Sequence, residues 1–398
     1  MRSTFWDAPY RPLFTAAALW ALICIAWWPL GANFGLPEPG FQPVELWHVH
    51  ELIFGFAAAA VGGYLLTAVP SWVKTEPESG LSLQWLMVTW LASRLAMTCA
   101  DALPLALLLP LNALYFLTLS GLLLLRLLQG GAKAKALFGV GILVMGTAEA
   151  TFVILAKQGD VAGALMLSQG ILIGFALLLT FIGTRLIPAF TRNWLLRTGA
   201  MEQVRERPAI RRAALATLVL AMAGLITDHL VLTNTALTAA GGLTLWVMLG
   251  WRSTATRGDA LLGGLHSAYL WLPIGLMLIG ITGLWPHIYP AASAKHALTI
   301  GAMAGLIMAI SGRAAAHMPS GNLQAPKPLT AAMILLAIST LARLLAPLPE
   351  AGEAALILLA SVFWCAAWAA YLIAYCRTLT GPPVRPVLSG KKIEPTGP

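Results

Sequence analysis

Seven histidines punctuate this 398-residue chain, and their placing is uneven. Imidazole is the commonest protein metal ligand and suits copper, haem iron and zinc. Two of the seven stand in the run Trp47-His48-Val49-His50-Glu51. Residues two apart on a helix point roughly 200° apart, at about 3.6 residues per turn. His48 and His50 are therefore expected to face different partners rather than share one metal. Glu51, three residues after His48, falls on the face of His48, where a carboxylate fixes an imidazole tautomer from behind.

Further polar groups fall at the same level of the chain's apolar segments. Asp228-His229 closes one apolar run, His296 opens another directly after Lys295, and His287 lies in the loop that precedes His296. Arg94 stands near the end of a third run, with Asp101 close in sequence. Metal ligation by His48, His50, His229 and His296, and by His266 toward the opposite face, with Arg94 as a cofactor contact and Glu51 and Asp228 behind the imidazoles, is one reading. An interfacial imidazole that merely finds a hydrogen-bond partner is the other, and it weighs most for His229 and His287. A second group belongs to the opposite ends of the runs: His266, Arg185, Arg313 and His317. Arginines at such depths either snorkel to headgroups or hold an anion such as a haem propionate through forked hydrogen bonds. Arg343 is expected to snorkel. His266, deeper than the rest, requires a partner or a ligand. Glu149, in mid-run, is expected to be protonated or to pair with an arginine from another helix.

These groups need a scaffold, and the composition dictates a membrane one. Of all residues 59% are hydrophobic and 10% are charged, too apolar for a soluble domain and too poor in charge for a disordered chain. Cys24, Cys99, Cys365 and Cys376 are far apart, which argues against a disulfide framework or a cysteine zinc site. A bilayer core takes roughly 20 apolar helical residues. Twelve candidate spans lie near 12–31, 47–70, 81–100, 103–128, 136–156, 163–189, 209–231, 234–250, 260–284, 296–317, 329–347 and 353–377. The seventh and eighth are the least distinct, because their turn is short. The first span lacks a small-residue cleavage site before loop 32–46 and reads as a retained helix.

With the N-terminus in the cytoplasm, twenty Lys and Arg fall on inner segments and two, Lys157 and Lys295, on outer ones. The alternation supports twelve helices with both termini cytoplasmic. It also accounts for the net charge of +9 without nucleic acid. The longest loops, 31–46 and 190–208, hold no domain, and no Walker loop or nucleotide fingerprint is present. The fold expected is an all-α polytopic bundle forming a single integral membrane domain over residues 1–398.

The residues also resemble a known family. Pro9-Tyr10-Arg11-Pro12-Leu13-Phe14, Trp47-His48-Val49-His50-Glu51-Leu52-Ile53-Phe54-Gly55 and the stretch from Gly63 to Trp72 look like the opening of the NnrS family. Arg185-Leu186-Ile187-Pro188, Leu265-His266-Ser267-Ala268-Tyr269 and His296-Ala297-Leu298-Thr299, continuing to Arg313, follow in order. The chain departs from the family after Arg313, where Ala316-His317-Met318-Pro319 replaces a Gly-His-Thr-Gly-Arg-like turn. The resemblance implies a bacterial inner-membrane protein of twelve helices that carries haem, of b type, and copper. It further implies a role in the response to nitric oxide and nitrosative stress, with respiratory or denitrification partners. It supplies no reaction. A transporter of a metal or small molecule, or an assembly factor for a respiratory metalloenzyme, are the alternatives. The positions of the ionisable groups near the two faces favour bound cofactors over a midplane transport site.

Overall fold

The computed structural model describes residues 4–201, 203–316, 323–350 and 352–380. His317 lies outside them. The described chain is a polytopic helix bundle. Eleven of its helices are long and apolar enough to cross a membrane. In chain order with one more, they are α1 (Tyr10–Phe34), α2 (Val44–Val73), α3 (Leu81–Thr98), α4 (Leu105–Gln129), α5 (Lys133–Lys157), α6 (Val161–Arg197), α7 (Pro208–Ile226), α8 (Leu230–Met248), α9 (Ala260–Leu284), α10 (Ala291–Ala314), α11 (Lys327–Leu345) and α12 (Glu353–Thr378). The additional helix is α3. It stands at the expected third span but is less apolar, because it carries Gln84 and a fully buried Arg94.

Two boundaries differ from the hydropathy reading. α6 runs to Arg197 rather than stopping near 189. Its 37 residues extend about 55 Å, nearly twice the roughly 30 Å of a hydrocarbon core. Arg192, Asn193 and Arg197 end the apolar stretch but not the helix. Pro188 inside it removes one backbone donor without breaking the rod. The turn between α7 and α8 falls at 227–229, so Asp228 and His229 form the turn itself instead of closing a span. Asp228 takes a left-handed backbone there, φ 56°, which Asp tolerates better than most residues.

The chain divides into two compact units. The first comprises Met1–Ile171 with Trp368–Leu388. Within it, α2 is central. Tyr115 of α4 donates to the carbonyl of Ala58 at 3.1 Å. Ser120 of α4 donates to the carbonyl of Gly139 in α5 at 2.8 Å. The end of α12 joins this unit, with Tyr375 donating to the carbonyl of Tyr10 at 2.8 Å and Trp368 set edge-on against Phe56. Hydroxyl-to-carbonyl links of this kind replace the hydrophobic drive that helices lose in lipid. The second unit comprises Leu172–Ala367. Its core is the α8, α9, α10 series. Ser339 of α11 donates to the carbonyl of Ala360 in α12 at 2.7 Å.

Candidate functional site

Among the described residues three helices carry a π-wound stretch: α1 over Ala26–Leu30, α2 and α10. In the last two a histidine stands at the point of change. α2 is α-helical over Val44–His50, π-helical over Glu51–Ala57 and α-helical again from Ala58. α10 is α-helical over Ala291–His296, π-helical over Ala297–Ala304 and α-helical over Gly305–Ser311. In each, a histidine is the last α-helical residue before the wide turn. Both read His-x-Leu-x-x-Gly: His50-Glu51-Leu52-Ile53-Phe54-Gly55 and His296-Ala297-Leu298-Thr299-Ile300-Gly301. The glycines share a purpose. A Cβ on Gly55 would come 2.7 Å from the Trp20 indole of α1, and one on Gly301 would come 2.6 Å from Cβ of Trp271 in α9. Each glycine thus lets a tryptophan from a neighbouring helix lie against the π-wound backbone. Such π segments are rare and concentrate at functional sites.

In the first unit the α2 segment builds a closed ring of four buried side chains. His50 Nδ1 donates to Glu51 Oε1 at 2.8 Å. Arg94 Nη1 donates to Glu51 Oε2 at 2.9 Å, and its Nη2 reaches Glu149 Oε1 of α5 at 3.3 Å. His50 Nε2 stands 3.3 Å from the same Glu149 oxygen, close enough to pair but misaligned for a hydrogen bond, and Glu149 Oε2 has no hydrogen-bond partner. Trp20 Nε1 donates to Glu51 Oε2 at 2.6 Å. Arg94 Nη2 also donates to Ser93, which donates to Asn112 of α4. All four ring members are fully buried. Glu51 is seven residues into α2, about 10 Å along its axis. Ions at such depth survive only when paired, and here α2, α3 and α5 each contribute a charge.

This arrangement corrects one expectation. Glu51 serves His50, not His48. The wider π turn beginning at Glu51 breaks the i, i+3 register with His48 and brings neighbouring side chains closer in angle. Arg94 pairs with Glu51 and Glu149, whereas Asp101 accepts weakly from the amide of Gln42 at 3.4 Å. The expected divergence of the two histidines does hold. His48 is half-buried and lies edge-on to Trp28 at 5.3 Å. His50 sits among Phe41, Phe54 and Phe152. The pairing of Glu149 with an arginine of another helix also holds.

In the second unit the predicted residues separate into several places. His296 is half-buried at the start of α10, its Nδ1 3.0 Å from the carbonyl of Ala292. A proton on Nδ1 donated to that carbonyl leaves Nε2 as the lone-pair nitrogen, the tautomer typical of metal-bound histidines. His229, Asp228 and His287 are exposed in turns. His266, buried in α9, has Nε2 2.8 Å from Thr191 Oγ1 of α6 and Nδ1 2.9 Å from Ser253 Oγ. Thr191 spends its own proton on the carbonyl of Ile187, so His266 Nε2–H donates to Thr191 and Ser253 donates to Nδ1. His266 is thereby a satisfied neutral imidazole, and Thr191 and Ser253 are partners that sequence reading passed over.

The arginines of this unit also sort themselves. Arg313 is buried, its guanidinium 3.9 Å from the ring centre of Phe190, the neighbour of Thr191. Arg185 is exposed, stacked 4.0 Å over Phe181 of its own helix, and does not join His266. Arg343 donates from Nη1 to Ser293 Oγ, in the first turn of α10, at 3.1 Å.

The repeated His-x-Leu-x-x-Gly pattern was visible in the residues and is the signal that would have singled out His50 and His296 together. Among the described residues, no group of three His, Cys, Asp or Glu is disposed to hold a metal ion. No curated protein matches the chain. The model of one family, the NnrS protein, matches residues 4–382. With nearly the whole length covered, the chain belongs to the NnrS family, a multi-pass membrane protein in which α2 and α10 each place a histidine before a π-wound stretch, at the same point of the same pattern.

Proposed function

We propose that the protein binds b-type haem in a bacterial inner membrane and serves in the response to nitric oxide. The observation that carries the reading is His296: an imidazole at the mouth of a π-wound helix, its Nδ1 anchored to the Ala292 carbonyl. That anchor fixes the tautomer, so that His296 would hold the haem iron through its other ring nitrogen. His48, half-buried beside Trp28, is the candidate in the other unit. His50 fits less well, since both its nitrogens face carboxylates. Buried Arg313 suits a propionate, but it lies seventeen residues from His296, about 25 Å along α10, so the two belong to different levels. A haem iron supplies a site that binds nitric oxide, which partitions into lipid. The protein's part is to hold the imidazole, exclude water and keep the opening apolar. Copper finds no three-ligand group among the described residues, and the proposal rests on haem.

The test is an absorption spectrum with iron and copper analysis of the purified protein. A Soret band with stoichiometric iron is expected, lost or altered in spin state in His296→Ala and His48→Ala and retained in His287→Ala. Wild-type protein without iron overturns the reading.

One feature favours a second reading. The ring of Glu51, Glu149, Arg94 and His50 is a buried ionic cluster of the kind that ion-coupled carriers use. Metal or proton flux into proteoliposomes that disappears in Glu149→Gln would support a transporter instead.

A further inference from the structure

We propose that the basic end of the second unit binds an anionic phospholipid, its phosphodiester headgroup gripped by Arg205, Arg207 and Arg252. Eight arginines and no lysine stand at this end between residues 192 and 257: Arg192, Arg197, Arg205, Arg207, Arg211, Arg212, Arg252 and Arg257. Orientation in the membrane is served by lysine and arginine alike. A uniform choice of arginine is a different signal, because the planar guanidinium fork matches phosphate oxygens two at a time, whereas lysine acts as a point charge.

The backbone draws these arginines together. The amide of Arg205, in the α6–α7 loop, donates to the carbonyl of Gly250, after α8, at 2.9 Å. The Arg205 carbonyl occupies the place a Cβ would take at Gly250, so only glycine permits the approach. This joins the loop bearing Arg205 and Arg207 to the turn bearing Arg252. Arg207 then lies over the ring of Trp246 at 5.5 Å. Trp246 is itself half exposed, and an exposed indole at the end of a membrane helix sits at headgroup level. The platform thus combines forked cations with an interfacial aromatic at the depth where lipid phosphates lie.

The acidic residues nearby are committed elsewhere. Glu206 pairs with Arg192. Asp259 caps α9, accepting from the amides of Leu261 and Leu262 at 2.9 and 3.0 Å. Glu202 lies outside the described residues. The inner loop of the first unit offers a contrast. There Lys135 covers Trp72 at 4.9 Å, with Lys133 beside it in sequence. The same aromatic support carries lysines, and it serves as the control.

The test uses full-length protein, stripped of lipid in detergent and titrated by native mass spectrometry. The probes are cardiolipin, phosphatidylglycerol, phosphatidylcholine and inorganic phosphate. Saturable binding of the two anionic lipids is expected, strongest for cardiolipin with its two phosphates, and none for phosphatidylcholine. The variant Arg205→Gln/Arg207→Gln/Arg252→Gln should bind roughly a hundredfold more weakly, and Lys133→Gln/Lys135→Gln should bind as wild type. Arg207→Lys keeps the charge and guards against a folding defect; it should bind more weakly than wild type. Equal loss in the arginine and lysine variants overturns the proposal, as does unchanged binding in Arg207→Lys. Displacement of lipid by millimolar inorganic phosphate would show a free-anion site and overturn it too.

Discussion

Replacing Arg94 by Met tests whether the buried ring in the first unit is an ionic lock. Arg94 donates to Glu51 at 2.9 Å, to Ser93, and to Glu149 at 3.3 Å, with all three partners buried. Two magnitudes compete. If only hydrogen bonds mattered, three bonds at about 0.6 kcal/mol each, the average measured between membrane helices, would cost about 2 kcal/mol. If the charge matters, the substitution strands Glu51 and Glu149 without their cation, and breaking a buried pair costs about 3–5 kcal/mol. The second figure should prevail. Glu51 keeps donors from Trp20 and His50, but Glu149 keeps only the misaligned His50 nitrogen. Removing the stranded charge should therefore restore stability, and Arg94→Met/Glu149→Gln should recover roughly half of the loss. The assay is reversible unfolding in mixed micelles, followed by tryptophan fluorescence over a four-member double-mutant cycle. An Arg94→Met loss of about 1 kcal/mol or less, or no coupling with Glu149→Gln, would refute the reasoning.

Other expectations concern the second unit and the topology. Thr191→Val leaves the His266 Nε2 proton without an acceptor and should lower stability by about 1–3 kcal/mol, read in the same unfolding assay, with Thr191→Ser close to wild type. Gly301→Ala places a Cβ against Trp271 and should cost about 1–3 kcal/mol, together with a shift in the emission of that indole. Reporter fusions after residues 40, 158 and 290 should read outside and those after 75 and 200 inside. A cytoplasmic signal at 290 would break the alternation on which twelve spans rest.

The parts of the fold that hydropathy reports were legible from the residues. Apolar runs located the helices, including α3, whose Arg94 and Gln84 lower its apolarity but whose length and neighbours still demand a crossing. The cost of a lone buried carboxylate required Glu149 to be protonated or paired with an arginine, and Arg94 supplies the pair. What failed did so for definable reasons. The end of α6 was placed where the apolar stretch stops, yet a helix continues into water wherever its backbone bonds remain satisfied. Glu51 was assigned to His48 because the face was drawn at 3.6 residues per turn, and the π segment starts at that very residue. Ser293 was not foreseen as a partner of Arg343 because it lies fifty residues away in sequence.

The two His-x-Leu-x-x-Gly segments show how one residue redirects a shared scaffold. Both helices change winding after the histidine, and both glycines admit an indole from another helix. The position after the histidine differs: Glu51 in α2, Ala297 in α10. A carboxylate there takes the His50 Nδ1 proton as its hydrogen bond and then requires Arg94 to balance its charge. Glu149 closes the ring on the far side, so the imidazole is shut in on both nitrogens. With alanine in that place the imidazole turns instead to the backbone carbonyl four residues earlier. The same winding therefore yields a sealed ionic lock in one unit and a carbonyl-anchored histidine at a helix mouth in the other. Of the two, only the second ties its Nδ1 to a backbone carbonyl, one of the partners that histidines use when they ligate a metal, so the residue after the histidine decides between the two arrangements.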